Sequence, residues 1–288
     1  MSIEMRDLSY IYMPQTPFER VALKNINLTI QQGEFIGIIG HTGSGKSTLV
    51  QHMNGLLKPT HGSVMVDDVD LGAKRSAARL ARRKVGMVFQ YPEHQLFEET
   101  VFADVAFGPR NMGADADEIE RRVRRSLAFV GLDYDDFAKR SPFRLSGGQM
   151  RRVAIAGVIA LEPEYLVLDE PSAGLDPRGR DEIFAEIVKL HQSTGITVIL
   201  ISHNMEEIAR MVKRLVVLHN GEVSLDGTPR EVFGQSRDRL TAAGVDVPNV
   251  SALLQRLRQR GLDVDLSALT AEDASQAILA ALGRQKKC

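Results

Sequence analysis

The stretch "GHTGSGKST", Gly40 to Thr48, constrains the fold of this chain more than any other feature. An apolar run, Glu34–Gly40, leads into it, and an apolar-patterned helix beginning "STLVQHMNGL" follows. In that context G-x-x-x-x-G-K-[ST] predicts a loop that holds a phosphate on its backbone amides and on the helix N-terminus. Glycine lets successive N–H groups curl around the phosphate without a Cβ in the way. We expect the whole loop to bind nucleotide: Gly40, His41, Thr42, Gly43, Ser44, Gly45, Lys46, Ser47 and Thr48.

Four side chains predict the chemistry at that loop. Lys46 would supply a point charge between the β- and γ-phosphates, and the Ser47 hydroxyl can ligate Mg²⁺. "YLVLDEP" places Asp169 and Glu170 at the end of a buried strand. Asp169 suits the metal, through water, and Glu170 suits a water molecule aimed at the γ-phosphate. A solvated strand end with two acids is the plainer alternative, but the P-loop already requires a metal partner on a neighbouring strand.

The apolar pattern predicts an α/β fold. The runs "EFIGIIG", "YLVLD" and "TVILIS" are continuous rather than alternating, which is typical of strands buried on both faces of a parallel sheet. Amphipathic helices lie between them, which implies right-handed crossovers. Two hairpins are expected, with turns at Asn220-Gly221 and Asp67-Asp68. The result is a P-loop NTPase core with a mainly parallel sheet and an antiparallel β subdomain near the N-terminus.

The expected organisation is an ATP-binding domain at 1–234 and a short helical extension at 235–288. A helical subdomain is inserted at about 91–161, and its helical pattern is clearest from Ala114 to Leu161. Two helices are expected in the extension, around Ser251–Arg260 and Ala271–Leu282, the second with a capping-box-like start at Thr270.

Composition excludes several classes of protein. The formal net charge is −1, and a nucleic-acid-binding protein would show a basic face or tail. The single cysteine, Cys288, permits no internal disulfide and favours a reducing compartment. No apolar run approaches the roughly 20 residues that cross a bilayer, and the first residues lack a signal-peptide pattern. If the protein works at a membrane, another chain must supply the membrane part.

The segment "LSGGQMRR" predicts a second anion site. Ser146 is a favourable N-cap residue, and Gly147 and Gly148 expose the first backbone amides of the helix that follows. An ordinary helix cap is the alternative for such a start. One P-loop already covers one triphosphate, so a second cradle needs a phosphate from elsewhere.

Taken in order and spacing, the P-loop, "LSGGQ", "LVLDEP", "SAGLDP" and the late "ISH" resemble the ATP-binding subunits of ABC transporters, over roughly Met1 to Gly234. The resemblance implies two subunits that meet head to tail, so that each P-loop faces the partner's LSGGQ across a shared ATP. It implies that the signature residues Leu145, Ser146, Gly147, Gly148 and Gln149 serve the partner's ATP. It also implies roles for five further residues: Tyr12 stacks on adenine, Gln90 senses the metal and the attacking water, Glu170 is the catalytic base, Asp176 crosses the dimer interface, and His203 touches the γ-phosphate. Tyr10 remains an alternative to Tyr12.

The stretch "FQYPEHQLFEETVFADVAFGP", together with "LSGGQMRRVAIAGVIA" and "GLDPRGR", narrows the resemblance. It is similar to the second ATP-binding subunit of energy-coupling factor transporters, which import vitamins or transition-metal ions. That resemblance implies a peripheral location on the cytoplasmic side of the cell membrane. It implies three partners: a second ATP-binding subunit, a transmembrane coupling subunit and a substrate-capture membrane subunit. Homodimer and heterodimer stay open, as does whether the extension pairs subunits or packs on its own core.

The segment after Gln90 is the expected dock for the coupling subunit. An apolar seat rimmed by carboxylates would suit an amphipathic helix that carries arginine. The residues concerned are Tyr91, Glu93, Leu96, Phe97, Glu98 and Glu99. A solvated acidic loop is the plainer alternative. Another ABC importer, or a soluble ABC ATPase of DNA repair or translation, are alternative functions, but the repair proteins carry coiled-coil or zinc insertions and the ribosomal proteins carry two ATP modules per chain.

Overall fold

A computed structural model describes residues 1–73, 76–235 and 237–285 of the chain. Cys288 lies outside the described residues. The strands are β1 (Ser2–Tyr12), β2 (Arg20–Gln31), β3 (Phe35–Ile39), β4 (His61–Val66), β5 (Val69–Asp70), β6 (Val85–Val88), β7 (Tyr165–Asp169), β8 (Thr197–Ile201), β9 (Arg214–His219) and β10 (Glu222–Gly227). The helices are α1 (Lys46–Met53), α2 (Ser76–Arg83), α3 (Val101–Asn111), α4 (Ala116–Phe129), α5 (Tyr134–Phe137), α6 (Gly147–Ile159), α7 (Pro177–Thr194), α8 (Met205–Met211), α9 (Pro229–Gln235), α10 (Arg237–Ala242), α11 (Asn249–Gln259) and α12 (Ala271–Gln285).

Two sheets form the body of the molecule, and the predicted α/β class is confirmed. A six-stranded sheet has the order β10-β9-β3-β8-β7-β6, parallel except for β10, and a four-stranded antiparallel sheet has the order β2-β1-β4-β5. Within the parallel strands, alternate residues join different cores: Leu166 and Leu168 face the helical side, while Tyr165 and Val167 face the antiparallel sheet. Burial on both faces explains the continuous apolar runs.

The register of the parallel sheet brings three chain segments to one edge. Ile201 lies opposite both Asp169 and Ile38, so β7, β8 and β3 end at the same level. The loops that follow them begin at Glu170, Ser202 and Gly40. In open α/β sheets this carboxyl edge is where ligands bind.

Both expected hairpins are present. Asn220 and Gly221 have φ of 50° and 81°, and Asp67 and Asp68 have φ of 48° and 63°, as two-residue hairpin turns require. Hydrogen bonds to its carboxylate hold Asp67 in this left-handed backbone conformation. It accepts hydrogen bonds from Lys84 Nζ (2.6 Å) and from the Tyr165 hydroxyl (2.7 Å), which join the turn to the parallel sheet.

The helical insertion comprises α3 to α6 and begins earlier than its clearest sequence pattern. Helix α3 starts at Val101, where the Thr100 hydroxyl accepts a hydrogen bond from the amide of Ala103 (3.2 Å). Gly108 and Pro109 near its end weaken the helical signal in the sequence. Among the described residues, no helix is long and apolar enough to cross a membrane.

The C-terminal extension has a small core of its own. Its members are Leu254, Val264, Ala268, Ala274 and Ala281. The two expected helices are present as α11 and α12, and the Thr270 hydroxyl accepts a hydrogen bond from the amide of Asp273 (3.1 Å). Helix α10 was not expected. The extension is joined to the ATP-binding domain by Leu240, Ala243 and Val245, which are buried in the helical-side core, and by Asn249, whose amide and side chain both donate to Glu206 Oε1 (2.8 and 2.7 Å).

Candidate active site

A cavity of about 360 Å³ opens at the carboxyl edge of the parallel sheet. Most of the residues expected from the sequence to handle nucleotide meet there. Its lining consists of Tyr12, Arg20, Ala22, Thr42, Gly43, Gly45, Lys46, Ser47, Thr48, Gln90, Asp169, Glu170, Ile201 and His203. The same cavity therefore holds a phosphate loop, two carboxylates, an amide and a histidine, which come from four separate parts of the chain.

The P-loop depends on glycine at two positions. Gly40 has φ of 154°, and a Cβ there would lie 2.3 Å from the carbonyl oxygen of Leu218. Gly45 has φ of 108°, and a Cβ there would lie 2.7 Å from the carbonyl oxygen of Ala22. Any side chain at either position would strain the backbone and collide with a neighbouring backbone oxygen. Both glycines are therefore required by the path of the loop.

Lys46 occupies the centre of the loop. Its Nζ donates to the carbonyl oxygens of Gly40 (2.7 Å) and His41 (3.1 Å), which holds the ammonium inside the curl of the loop. Burial lowers the pKa of Lys46, and the nearby Glu170 and Asp169 oppose that shift. The cation is thus stored where an anionic ligand would enter.

The two acids at the end of β7 have different surroundings. Burial raises the pKa of Asp169, while a hydrogen bond from Ser47 and the charge of Lys46 oppose the rise. Burial, followed by the neighbouring charge of Asp169, raises the pKa of Glu170 to about 7. The Oε1 atom of Glu170 is buried and has no hydrogen-bond partner among the described residues. A carboxyl group with such a pKa can take up or release a proton near neutral pH.

The backbone of Glu170 is strained. Its φ is 52°, in the left-handed region that costs a residue with a side chain on the order of 1–3 kcal/mol. Two hydrogen bonds hold it there: its amide donates to the Ile201 carbonyl oxygen (3.0 Å), and its own carbonyl oxygen accepts from Arg151 Nη2 (2.8 Å). Such strain is found where a side chain must be aimed, and here it directs the carboxyl into the cavity.

Arg151 is the residue that the sequence reasoning missed most clearly. It lies on α6, inside the "LSGGQMRR" segment, and is 3% exposed. Besides Glu170, its guanidinium donates to the carbonyl oxygens of Gln90 (2.7 Å), Pro171 (2.9 Å) and Ala173. One side chain therefore ties the signature helix to the segments that carry Gln90 and Glu170. An arginine directly after a glycine-rich helix start was visible in the sequence, but its partners were not.

The two tyrosines of β1 are placed differently. Tyr12 lines the cavity, is 36% exposed, and its hydroxyl lies 3.2 Å from Thr48 Oγ1. Tyr10 packs edge-on against Tyr12 and His52, with ring centroids 4.8 Å apart in both pairs, and is not among the cavity-lining residues. Arg20, which was not expected, pairs with Tyr12 across the β1–β2 ladder and adds a positive charge to the cavity.

His203 directly follows the turn at the end of β8. Its Nε2 lies 3.5 Å from Glu170 Oε1, and its side chain is 54% exposed. Burial and the charge of Lys46 lower its pKa, and Asp169 opposes that shift. At neutral pH the ring is therefore mostly uncharged and can offer one donor and one acceptor.

The signature residues do not reach this cavity. Ser146 and Gln149 form a reciprocal capping box: the Ser146 hydroxyl accepts from the Gln149 amide (3.3 Å), and the Gln149 side chain accepts from the Ser146 amide (3.1 Å). Leu145 packs on the helical-side core, and Gly147 and Gly148 begin α6. Asp176 is exposed and caps α7 through the Gly179 amide (3.0 Å). None of them lines the cavity of the same chain.

Beside the segment that follows Gln90 lies a groove of about 170 Å³. We call it the α3–α6 groove, and its lining is Gln95, Leu96, Phe97, Asp104, Phe107, Gly108, Val153, Ala154, Gly157, Val158 and Leu161. Phe97 is 57% exposed and packs edge-on against Phe107 at 4.9 Å between ring centroids. Asp104 holds the loop by accepting from the amides of Phe97 (3.3 Å) and Glu98 (3.1 Å).

Three side chains of the expected docking surface are placed otherwise than expected. Glu93 turns inward, with Oε2 3.9 Å from Arg151 Nη1, because a buried guanidinium attracts the nearest carboxylate. Leu96 is 8% exposed and joins the core. Tyr91 is exposed but stacks on His94 outside the groove. Phe97 and Phe107 therefore form the apolar surface, and Glu98, Glu99 and Asp104 supply the nearby carboxyl groups.

The similar proteins found by sequence and by structure are proteins of ABC transporters. The family model for ABC transporter domains matches residues 23–173. The energy-coupling factor transporter ATP-binding protein EcfA2 of Clostridium tetani is 51% identical over 279 residues, covering 97% of this chain and 96% of the relative. The protein of the same name from Symbiobacterium thermophilum is 53% identical over 286 residues, covering 99% and 98%.

Solved structures are also similar. CbiO1 of Clostridium perfringens, part of the ABC transporter complex CbiONQ, aligns with a TM-score of 0.72 at 37% identity, over 90% of this chain and 96% of that chain. The ATP-binding cassette MJ0796, in a dimeric post-hydrolysis state bound to ADP and Pi, aligns with a TM-score of 0.71 at 31% identity, over 79% and 98%.

Proposed function

The chain belongs to the ABC transporter family of ATPases and, within it, to the ATP-binding subunits of energy-coupling factor transporters, and we propose that it drives the uptake of a vitamin or a transition-metal ion. It does so at the cytoplasmic face of the cell membrane, as a peripheral subunit. The membrane-spanning path and the substrate-capture site belong to its partners. The choice of substrate therefore lies outside this chain.

One observation carries the catalytic assignment: the buried Oε1 of Glu170 has no hydrogen-bond partner among the described residues, and its carboxyl has a pKa of about 7. In the proposed reaction Glu170 accepts a proton from the attacking water, Lys46 binds the β- and γ-phosphates, and the ring of His203 bonds the γ-phosphate. When ATP enters, Lys46 exchanges its two loop carbonyls for phosphate oxygens. Water attacks the γ-phosphorus, the bond to the bridging oxygen breaks, and the ammonium stabilises the charge that develops as ADP leaves.

The residues in the cavity fit Mg²⁺. Ser47, Gln90 and Asp169 offer a hydroxyl, an amide oxygen and a carboxylate, and hard oxygen donors are what this ion prefers. We assign Asp169 to the metal through a water molecule. The ion would neutralise negative charge on the β- and γ-phosphates. The ring of Tyr12 is assigned to adenine because it is open to the cavity, whereas Tyr10 is packed behind it.

The cavity is completed by a second subunit. The signature residues Leu145 to Gln149 and the exposed Asp176 do not line the cavity of their own chain. A head-to-tail dimer gives both a place, since the N-terminus of α6 can then face the phosphates bound by the partner's P-loop. The similar cassette MJ0796 is a dimer in a post-hydrolysis state that holds both ADP and Pi.

We place the coupling subunit at the α3–α6 groove. Phe97 and Phe107 give it an apolar wall and Asp104 lines it, while Glu98 and Glu99, which follow Phe97 in the chain, add negative charge beside it. An amphipathic helix that carries arginine complements both features. The C-terminal extension is a further candidate contact between subunits: it has its own core, yet it leaves Leu253 and Leu279 exposed at 49% and 67%.

Purification of the tagged full-length chain from its own cells in mild detergent tests this function. We expect a second ATP-binding subunit, a transmembrane coupling subunit and a small membrane protein to co-purify, and the assembly to hydrolyse ATP. A Lys46→Ala chain should recover the same subunits without ATP turnover. Recovery of the wild-type chain alone, or with soluble partners only, would overturn the proposal.

A further inference from the structure

Both residues that flank His203 are hydrogen-bonded to one carboxylate. The Ser202 hydroxyl donates to Glu207 Oε2 (3.3 Å), and the Asn204 side-chain amide donates to Glu207 Oε1 (3.0 Å). The backbone amide of Asn204 also donates to the Ser202 hydroxyl (3.0 Å). Glu207 lies on α8, one turn beyond His203, so a single side chain closes the turn that carries the histidine.

Glu207 is buried, at 6% exposure, and that burial is unusual for a glutamate. Burial raises its pKa, whereas Arg180, the bond from Ser202 and the more distant Arg210 oppose the rise, and Asp181 adds to it. Asn204 and Ser202 are the polar groups that face it from its own turn. Burying a carboxylate costs free energy, and the hydrogen bonds that Glu207 accepts from Ser202 and Asn204 offset that cost.

The same carboxylate reaches a second loop of the active site. Arg180 Nε on α7 lies 3.5 Å from Glu207 Oε1. Arg180 is one helical turn from Asp176, and its amide donates to the Asp176 carbonyl oxygen (3.0 Å). Glu207 therefore stands between the turn that carries His203 and the helix whose start is the exposed Asp176.

We propose that Glu207 is a positioning residue, which fixes the turn of His203 so that the imidazole ring faces Glu170. Through Arg180, Glu207 also joins that turn to the start of α7, which Asp176 caps. Only the expected effect on catalysis rests on the proposed function, in which His203 bonds the γ-phosphate. The positioning of the ring can be measured without nucleotide.

The first test follows the histidine rings in the nucleotide-free full-length chain. The chain has seven histidines, and with ¹³C-labelled rings the signal of His203 is identified by its loss in His203→Ala. In Glu207→Gln the His203 signal should shift or broaden while the signals remote from the site keep their positions. Glu206→Gln is the matched control, since Glu206 is on the same helical turn but bonds Asn249, and it should leave the His203 signal in place.

A second variant keeps the test decisive if Glu207→Gln fails to fold. Ser202→Ala removes the bond from Ser202 to Glu207 and the acceptor of the Asn204 amide but leaves the carboxylate itself in place, and it should also shift the His203 signal. An unchanged His203 signal in folded Glu207→Gln, or in Ser202→Ala if that variant is the one that folds, would overturn the proposal. Neither reading depends on ATP hydrolysis, so failure here is distinct from failure of the proposed function.

The second test is kinetic and uses the transporter assembly. Glu207→Gln should lower kcat about tenfold and leave KM for ATP within about twofold, because the interaction acts on the transition state rather than on binding. In a His203→Ala background the same substitution should leave the residual kcat unchanged, since the two residues act as one unit. An equal loss in both backgrounds would show that Glu207 acts elsewhere and would overturn the proposal.

Discussion

Arg151 donates a hydrogen bond of 2.8 Å from its Nη2 atom to the backbone carbonyl oxygen of Glu170. The bond joins the helix that starts at the signature motif to the residue assigned as catalytic base. It also holds Glu170 in its left-handed conformation, with φ of 52°. One guanidinium therefore links the signature helix directly to the residue assigned as base.

Arg151→Met should both destabilise the chain and lower kcat. The substitution removes the Arg151 donor from the carbonyl oxygens of Gln90 and Pro171 and leaves that of Glu170 with the Ala173 amide alone, at about 1–3 kcal/mol for each unsatisfied group. Arg152→Met is the matched control, because within the described part of the chain Arg152 bonds only Val130 and the half-exposed Glu182. Urea unfolding should show a loss of several kcal/mol for Arg151→Met and a clearly smaller one for Arg152→Met. Equal losses would contradict the assigned role of Arg151.

The pH profile should report Glu170. A general base must be ionised, and its pKa is raised to about 7 by burial and by Asp169. We therefore expect kcat/KM for ATP to rise with pH through about 7 and to level off above it, since this parameter reports the free enzyme. In Glu170→Asp the midpoint should move if Glu170 is the base. A profile that is flat between pH 6 and pH 8 would count against this assignment.

The free energy of unfolding should depend on pH, because the pKa of Glu170 is raised in the folded chain. The ordinary pKa of the glutamate is 4.5 and the folded value is about 7, so folding is penalised as pH rises from 4.5 through 7. Glu170→Gln removes the ionisation, and without nucleotide it should be more stable than the wild type at pH 8, by on the order of 3 kcal/mol. The gain should shrink towards pH 4.5. Denaturant titrations at the two pH values measure both differences, and a pH-independent difference would contradict the prediction.

Charge reversal should test the α3–α6 groove. Glu98→Lys with Glu99→Lys should spare ATP binding by the isolated chain and abolish stable assembly with the coupling subunit, because like charges across an interface cost several kcal/mol. Asp117→Lys with Glu120→Lys is the control, since it reverses two exposed charges on α4, outside the loop that carries Glu98 and Glu99. Co-purification from detergent distinguishes them. Normal assembly and uptake by the Glu98/Glu99 variant would show that the groove is not the dock.

The parts of the site that depend on a local sequence pattern could be predicted from the sequence. The strands β3, β7 and β8 are recognisable because both faces are buried, and the loops that follow them carry Gly40, Glu170 and His203. Since parallel strands end at a common edge, the meeting of these loops could be expected before the structure.

Other parts depend on tertiary register and could not be predicted. Arg20 enters the cavity because the β1–β2 ladder sets it opposite Tyr12. Glu93 and Leu96 face inward because of where Arg151 and the core lie. The spacing of Asn204 and Glu207 is that of a capping box, but the bond from Ser202 to Glu207 and the contact of Glu207 with Arg180 depend on the fold of the turn around His203. Helix α3 was obscured by Gly108 and Pro109.

In the proposed dimer, ATP lies between this chain and a second ATP-binding subunit. Sedimentation of Glu170→Gln with Mg²⁺ and ATP tests it most directly, because this variant should bind ATP without hydrolysing it, and ATP favours the closed dimer over separate subunits. We expect a dimer in ATP, either of this chain with itself or with its partner subunit, separate subunits in ADP, and separate subunits in either nucleotide when Lys46→Ala is added. Sedimentation that is the same in ATP and ADP, with the partner subunit present, would contradict the account.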